Sequence, residues 1–203
     1  MTAETTVYVV DDDDAVRRFL RGLIRSVGLK VETFATAREF LDAYQAGSPG
    51  CLLLDIRMPG MSGLELQAEL RRRNLDLPVI VLTGHGDVKV AVHAMKAGAV
   101  DFIEKPFNNE FLLQAIQKAV AGSLHSSGIR VRRQEILQRL KTLTTRERQV
   151  LGLVVAGGTN KGVARHLGIS EKTVEIHRAR VMEKMQAKSL AELVKMATVL
   201  ELE

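Results

Sequence analysis

Asp11, Asp12, Asp55, Thr83 and Lys105, scattered along 203 residues, are of the kinds that handle phosphate when brought together. Each closely follows an apolar run of the buried-strand type, at 7–10, 52–54, 78–82 or 100–103. Carboxylates gathered at one place repel one another and hold protons more tightly unless a cation joins them. A hard divalent ion with oxygen ligands, Mg2+ or Mn2+, answers that need. The chemistry that suits the set is attack by a carboxylate on phosphorus, giving an aspartyl-phosphate. The metal would offset charge on the phosphoryl oxygens, the lysine would hold another oxygen, and the threonine hydroxyl would donate to the last.

That convergence requires a particular scaffold. After the first run, Val16, Phe19, Leu20, Leu23, Ile24 and Val27 recur at helical spacing, and Gly28 supplies a stop. Strand, helix, strand then repeat: 30–34; a helix with Phe40, Leu41 and Tyr44; 52–54; a helix with Leu64, Leu66 and Leu70. There follow 78–82, a helix with Val88, Val92 and Met95, 100–103, and a helix with Phe111, Leu112, Ala115, Ile116 and Ala119. Strict alternation predicts right-handed crossovers, a parallel sheet and helices on both faces, an α/β doubly wound architecture. In such a sheet, ligands lie beyond the carboxyl ends of the strands, where all five residues fall.

With their strand ends, these residues resemble the receiver domain of response regulators over about 5–121. The stretch Asp55-Ile56-Arg57-Met58-Pro59-Gly60 and the segment Thr83-Gly84-His85-Gly86-Asp87 carry the likeness most specifically. The resemblance implies a flavodoxin-like strand order 2-1-3-4-5. It makes Asp55 the phosphoacceptor, with Asp11, Asp12, Asp55 and the main-chain carbonyl of Arg57 around Mg2+. Thr83 and Lys105 would bind the phosphoryl group, the Lys105–Pro106 peptide would be cis, and Phe102 would be an aromatic switch paired with Thr83. Arg57 and His85 flank the site and are expected to affect dephosphorylation by screening the attacking water. Asp13 or Asp14 is read as a helix cap.

Charge divides the chain. Residues 1–122 hold 14 Lys+Arg against 16 Asp+Glu, a net −2, whereas 123–203 hold 15 against 8, a net +7. A basic smaller part beside a near-neutral larger one suggests a unit facing a polyanion. No apolar run approaches the roughly 18–20 residues that span a bilayer, and no export signal opens the chain. One cysteine, Cys51, rules out an internal disulfide and fits a reducing cytoplasm. Ala121-Gly122-Ser123 and Ser126-Ser127-Gly128 interrupt the pattern as a hinge. Ile129, Ile136, Leu140 and Leu143 beyond them suit a linker helix. The organisation expected is 1–122, a helical linker 123–142, and an all-α domain 143–203.

In the basic part a helix starts near Thr144 or Thr145, a second runs 160–167, Gly168-Ile169-Ser170 turns the chain, and a polar helix runs from Glu171 to about Met185. Val174, Val181, Met182 and Met185 would face inward. This is helix-turn-helix geometry. The ordered set Thr145-Arg146-Glu147-Arg148, Gly158-Thr159-Asn160-Lys161 and Ile169-Ser170-Glu171-Lys172-Thr173-Val174 resembles the LuxR-type DNA-binding domain over about 139–200. Glu175 after Thr173-Val174 favours the FixJ branch of this NarL-like class. The resemblance implies a recognition helix at about 171–185 and a dimerising helix at about 188–200. Candidate DNA contacts are Lys161, Lys172, Thr173, Glu175, His177, Arg178 and Arg180; a glutamate can accept from cytosine N4, and His177 could equally fill a polar gap.

The expected whole is a phosphorylation-activated transcriptional regulator, not an enzyme beyond assisting its own phosphoryl transfer and dephosphorylation. A sensor histidine kinase, promoter double-stranded DNA, RNA polymerase and a second copy of the chain would be its partners. Three other readings stand against it: a receiver used only for constitutive dimerisation, a Mg2+-dependent phosphohydrolase, and an RNA-binding antiterminator, the last disfavoured by the lack of stacking aromatics.

Overall fold

The computed structural model describes residues 5–84 and 88–201. They form two compact units, dividing between Gly128 and Ile129. In the first, β1 (Thr6–Val10), β2 (Lys30–Phe34), β3 (Gly50–Asp55), β4 (Val79–Thr83) and β5 (Asp101–Glu104) make one sheet of order β2-β1-β3-β4-β5. Every pairing is parallel. Between and after the strands come α1 (Asp14–Ser26), α2 (Ala37–Ala43), α3 (Gly63–Arg72), α4 (Val88–Lys96) and α5 (Asn109–Lys141).

Because side chains alternate across a strand, the sheet has two apolar faces. Val7, Val9, Leu53, Ile80, Leu82 and Ile103 face α1 and α5, which contribute Leu20, Ile24, Leu112 and Ile116. Tyr8, Val10, Leu52, Leu54, Val79 and Val81 face Phe40 of α2, Leu66 and Leu70 of α3, and Ala94 of α4. Cys51 belongs to the first face and is wholly buried. Burial pushes its thiol up to about 12.

Three sequence expectations need correction. On α4 the apolar spacing picks the wrong face: Val92 is 48% exposed and Met95 40%, while Ala91 and Ala94 are buried. Val90 of the same helix, partly buried, packs against that core together with Ala94. On α1, Phe19 is 48% exposed, its ring tilted against Phe107 at 6.1 Å rather than set in the core. The third concerns 121–128, expected to interrupt the helical pattern; they lie inside α5. A helical glycine costs only about 1 kcal/mol relative to alanine. Moreover, Ser123 is buried and its Oγ accepts from the Gly50 backbone N–H at 3.0 Å, fixing this turn to the start of β3.

The second unit contains α6 (Thr145–Val155), α7 (Asn160–Leu167), α8 (Glu171–Met185) and α9 (Leu190–Glu201). They enclose a core of Val150, Val154, Val163, Val174, Val181, Met185 and Leu193, to which Ile136 of α5 also belongs. Thr144, Thr159 and Ser170 cap α6, α7 and α8, Thr144 in a full capping box with Glu147. Gly168 ends α7 at φ 66°, the left-handed conformation that lets the chain turn directly into α8. No helix among the described residues is long and apolar enough to cross a membrane.

Candidate functional site

Strand register assembles the first site. Val10 pairs with Leu54, so Asp11 comes level with Asp55 at the carboxyl edge. Asp55 pairs with Leu82, placing Thr83 next, and Thr83 pairs with Glu104, placing Lys105 beyond it. The Lys105 backbone N–H donates to the Thr83 carbonyl at 2.7 Å, and the Lys105–Pro106 peptide is cis. Lys105 Nζ then spans the acids, 2.7 Å from Asp11 Oδ2 and 2.6 Å from Asp55 Oδ1. The other carboxylate oxygens are also engaged: Asp11 Oδ1 accepts from the Asp13 N–H at 2.9 Å, and Asp55 Oδ2 from the Arg57 N–H at 2.8 Å.

Asp11, Asp55 and Thr83 are buried, whereas Asp12 and Arg57 are exposed. Of the three acids expected there, Asp11 and Asp55 meet on the expected lysine, and Asp12 is exposed. Among the described residues no three carboxylate, histidine or cysteine side chains are grouped to hold a metal. The donor chemistry nonetheless suits a hard cation: all the acids offer oxygen, and one ammonium does not balance Asp11, Asp12 and Asp55. Burial raises the Asp55 carboxyl above its usual range, against the pull of the Lys105 hydrogen bond and charge. For Lys105 burial acts the other way, but the hydrogen bonds to Asp11 and Asp55 prevail and hold its ammonium above the ordinary value.

Thr83 Oγ1 donates to the neighbouring Gly84 carbonyl at 2.9 Å, and Phe102 is 46% exposed. His85 and Asp87 lie outside the described residues.

Two supports for the site escaped the sequence reading. Arg17 Nη1 donates to the Asp11 carbonyl at 2.7 Å, bracing α1 against the end of β1, with Asp13 as the cap of α1. Gly63 opens α3 so close to β3 that a methyl group there would come within 2.2 Å of the Asp55 carbonyl oxygen. The readable signal was Ser62 with Glu65, a capping box that dictates where α3 begins.

The second site is the outer face of α8. Lys172, Glu175, Ile176 and Arg180 are exposed there, and Lys161 is exposed on α7. Thr173 Oγ1 is 2.8 Å from the cap hydroxyl of Ser170. His177 and Arg178 are half-buried; His177 Nδ1 is buried without a hydrogen-bond partner. Arg178 Nη1 donates to Asn160 Oδ1 at 2.9 Å, and Asn160 Nδ2 donates to Glu175 Oε1 at 3.5 Å. Beneath this face, Glu147 is buried and accepts from Lys184 Nζ at 2.7 Å. The hydrogen bond from Lys184, then that from the Thr144 N–H, hold the Glu147 carboxyl down at about 2.

An acidic sheet edge built for phosphate, in one chain with a helix-turn-helix, is the construction of a phosphorylation-controlled regulator of transcription. Comparison with known proteins agrees. Residues 7–117 match the response regulator receiver domain, and residues 141–197 match the luxR family of bacterial regulatory proteins. The chain is 49% identical to the transcriptional regulatory protein FixJ of Azorhizobium caulinodans, across 97% of its own length and 93% of that protein. Among solved structures it is similar to the response regulator StyR (TM-score 0.88, 45% identity, 97% of this chain and 99% of that one). It is also similar to full-length FixJ from B. japonicum (TM-score 0.59, 41% identity, all of both chains). The chain belongs to the response regulators of the FixJ/LuxR class and is a phosphorylation-dependent regulator of transcription.

Proposed function

We propose that Asp55 is the residue phosphorylated, by a sensor histidine kinase, and that α8 carries the response to promoter DNA. The observation that carries the first part is the Lys105 ammonium bridging Asp11 and Asp55 at the ends of β1 and β3. One Asp55 oxygen attacks phosphorus, an O–P bond forms, and the P–N bond to the donor imidazole breaks as that nitrogen takes a proton. Lys105 then holds a phosphoryl oxygen in place of its present partner on Asp55, and the Thr83 hydroxyl turns from Gly84 to donate to another. Asp11, Asp12, Asp55 and the Arg57 carbonyl would hold Mg2+ or Mn2+, whose charge offsets that of the transferred group. Water later cleaves the O–P bond, with the exposed Arg57 limiting its approach.

Movement of Thr83 lets Phe102 turn inward. This changes the exposed surface formed by Val92 and Met95 of α4 and by Phe102 of β5, so that a second copy of the chain binds there. Dimerisation then presents two α8 helices to successive half-sites about one helical turn apart, where bound protein acts on RNA polymerase. Lys161, Lys172, Thr173, Glu175, His177, Arg178 and Arg180 are the contacts assigned by the sequence. Of these, exposure favours Lys161, Lys172, Glu175 and Arg180. The working compartment on this reading is the cytoplasm.

Labelled acetyl phosphate with Mg2+ tests the proposal. An acid-stable, hydroxylamine-labile label is expected on the protein and is lost in Asp55→Asn. Full labelling of Asp55→Asn would move the acceptor elsewhere.

A further inference from the structure

Asn160, the first residue of α7, lies between two side chains of α8 and joins them by opposite ends of one amide. Its Oδ1 accepts from Arg178 at 2.9 Å, and its Nδ2 faces Glu175 Oε1 at 3.5 Å. A carboxamide has one accepting end and one donating end. A guanidinium, which only donates, therefore decides which way this amide faces and turns its NH2 toward the carboxylate. Arg178 is itself held: it is half-buried and shares an apolar recess with Val150, Leu151 and Val181, so its head extends toward α7 from a packed stem. The contact to Glu175 is long, but the carboxylate charge strengthens it.

Glu175 occupies the exposed face of α8 beside Lys172, Ile176 and Arg180. A glutamate there repels phosphate, yet one held in place can accept from the N4 amino group of cytosine. An untethered glutamate would lose rotamer freedom on making that contact. Holding Oε1 in advance removes much of this loss and leaves Oε2 for the base. We propose that Asn160, oriented by Arg178, is a positioning residue that fixes the Glu175 carboxylate to read a cytosine in the major groove. This assigns Arg178 to the inside of the DNA-binding unit instead of to a phosphate. The inference rests on α8 being the helix that enters the groove.

Selection from a pool of randomised DNA duplexes by the phosphorylated full-length protein tests it, with salt-dependent affinities measured on the winning sequence. The intact protein is expected to prefer cytosine at one half-site position by roughly tenfold, the ordinary worth of a good base contact. Glu175→Ala removes the preference at that position. Asn160→Ala reduces it to within about threefold at the same position, leaving the other positions and the salt slope unchanged. Asn160→Asp sets a second carboxylate beside Glu175 and abolishes it. Lys161→Ala is the contrast: weaker binding to all sequences and a shallower salt slope, with the base profile kept. Thermal melting of each variant separates lost positioning from lost folding, and Asn160→Asp supplies a second test if Asn160→Ala melts early. A base profile in both Asn160 variants identical to that of the intact protein, while Glu175→Ala flattens one position, overturns the positioning role alone. No base preference affected by Glu175→Ala overturns the reading of α8 on which it depends.

Discussion

Replacing Gly63 by alanine adds one methyl group 2.2 Å from the Asp55 carbonyl oxygen, where ordinary contact begins at about 3.4 Å. The obstacle is backbone, so no side chain can swing away; the first turn of α3 and the end of β3 must separate by about 1 Å. Overpacking of this kind costs typically about 1–3 kcal/mol, and because Gly63 is the first residue of α3 the interior helix propensity of alanine returns little of it. A loss of about 1–3 kcal/mol lowers the melting point of the receiver transition by roughly 4–12 °C. The displaced atom belongs to Asp55, the proposed acceptor, and a misplacement near 1 Å can cost about a hundredfold in rate. Phosphorylation by acetyl phosphate should therefore slow by one to two orders of magnitude even where the protein is fully folded. Gly22→Ala is the internal control: it lies in α1 with nothing within 4 Å of the added methyl, so it should be neutral or stabilising. Scanning calorimetry and phosphorylation time courses decide the matter. If Gly63→Ala matches Gly22→Ala in both, the close approach does not position Asp55.

Lys105→Met leaves Asp11 and Asp55 facing each other without their shared ammonium. In EDTA it should destabilise by about 3 kcal/mol, and millimolar Mg2+ should restore part of the loss in urea titrations; equal curves with and without Mg2+ would tell against a cation site there. Glu147 has its folded-state pKa depressed to about 2 from 4.5, so its stabilising effect is complete above about pH 4.5 and is lost as pH falls toward 2. Melting points of the intact protein should thus decline across that interval relative to Glu147→Gln, and parallel declines would refute the ion pair's contribution. Ser123→Ala strands the buried Gly50 N–H and should cost about 1–3 kcal/mol in the receiver's urea transition; no change would return 123 to the linker.

Much of the architecture was legible because the strands are apolar runs followed by the polar residues that matter, and Asp11, Asp55, Thr83 and Lys105 needed only the parallel register to converge. What was not legible depends on distances the pattern does not encode. Ala91 and Ala94 are buried while Val92 and Met95 are exposed, a choice of face that the apolar spacing of α4 does not reveal. Gly122 and Gly128 read as breaks, since propensity carries no information about the Ser123 anchor. The basic residues of α8 looked equivalent until Arg178 was found directed at Asn160, and periodicity says nothing about a partner 18 positions away on another helix.

Cys51 has a practical consequence. Thiolate is the form that attacks maleimides and oxidants, and a sulfur enclosed by β-strand neighbours with its proton held to about pH 12 offers almost none. The native chain is thereby ready for site-directed labelling: a cysteine placed on an exposed helix would take a fluorophore or spin label selectively, with no background substitution to remove first.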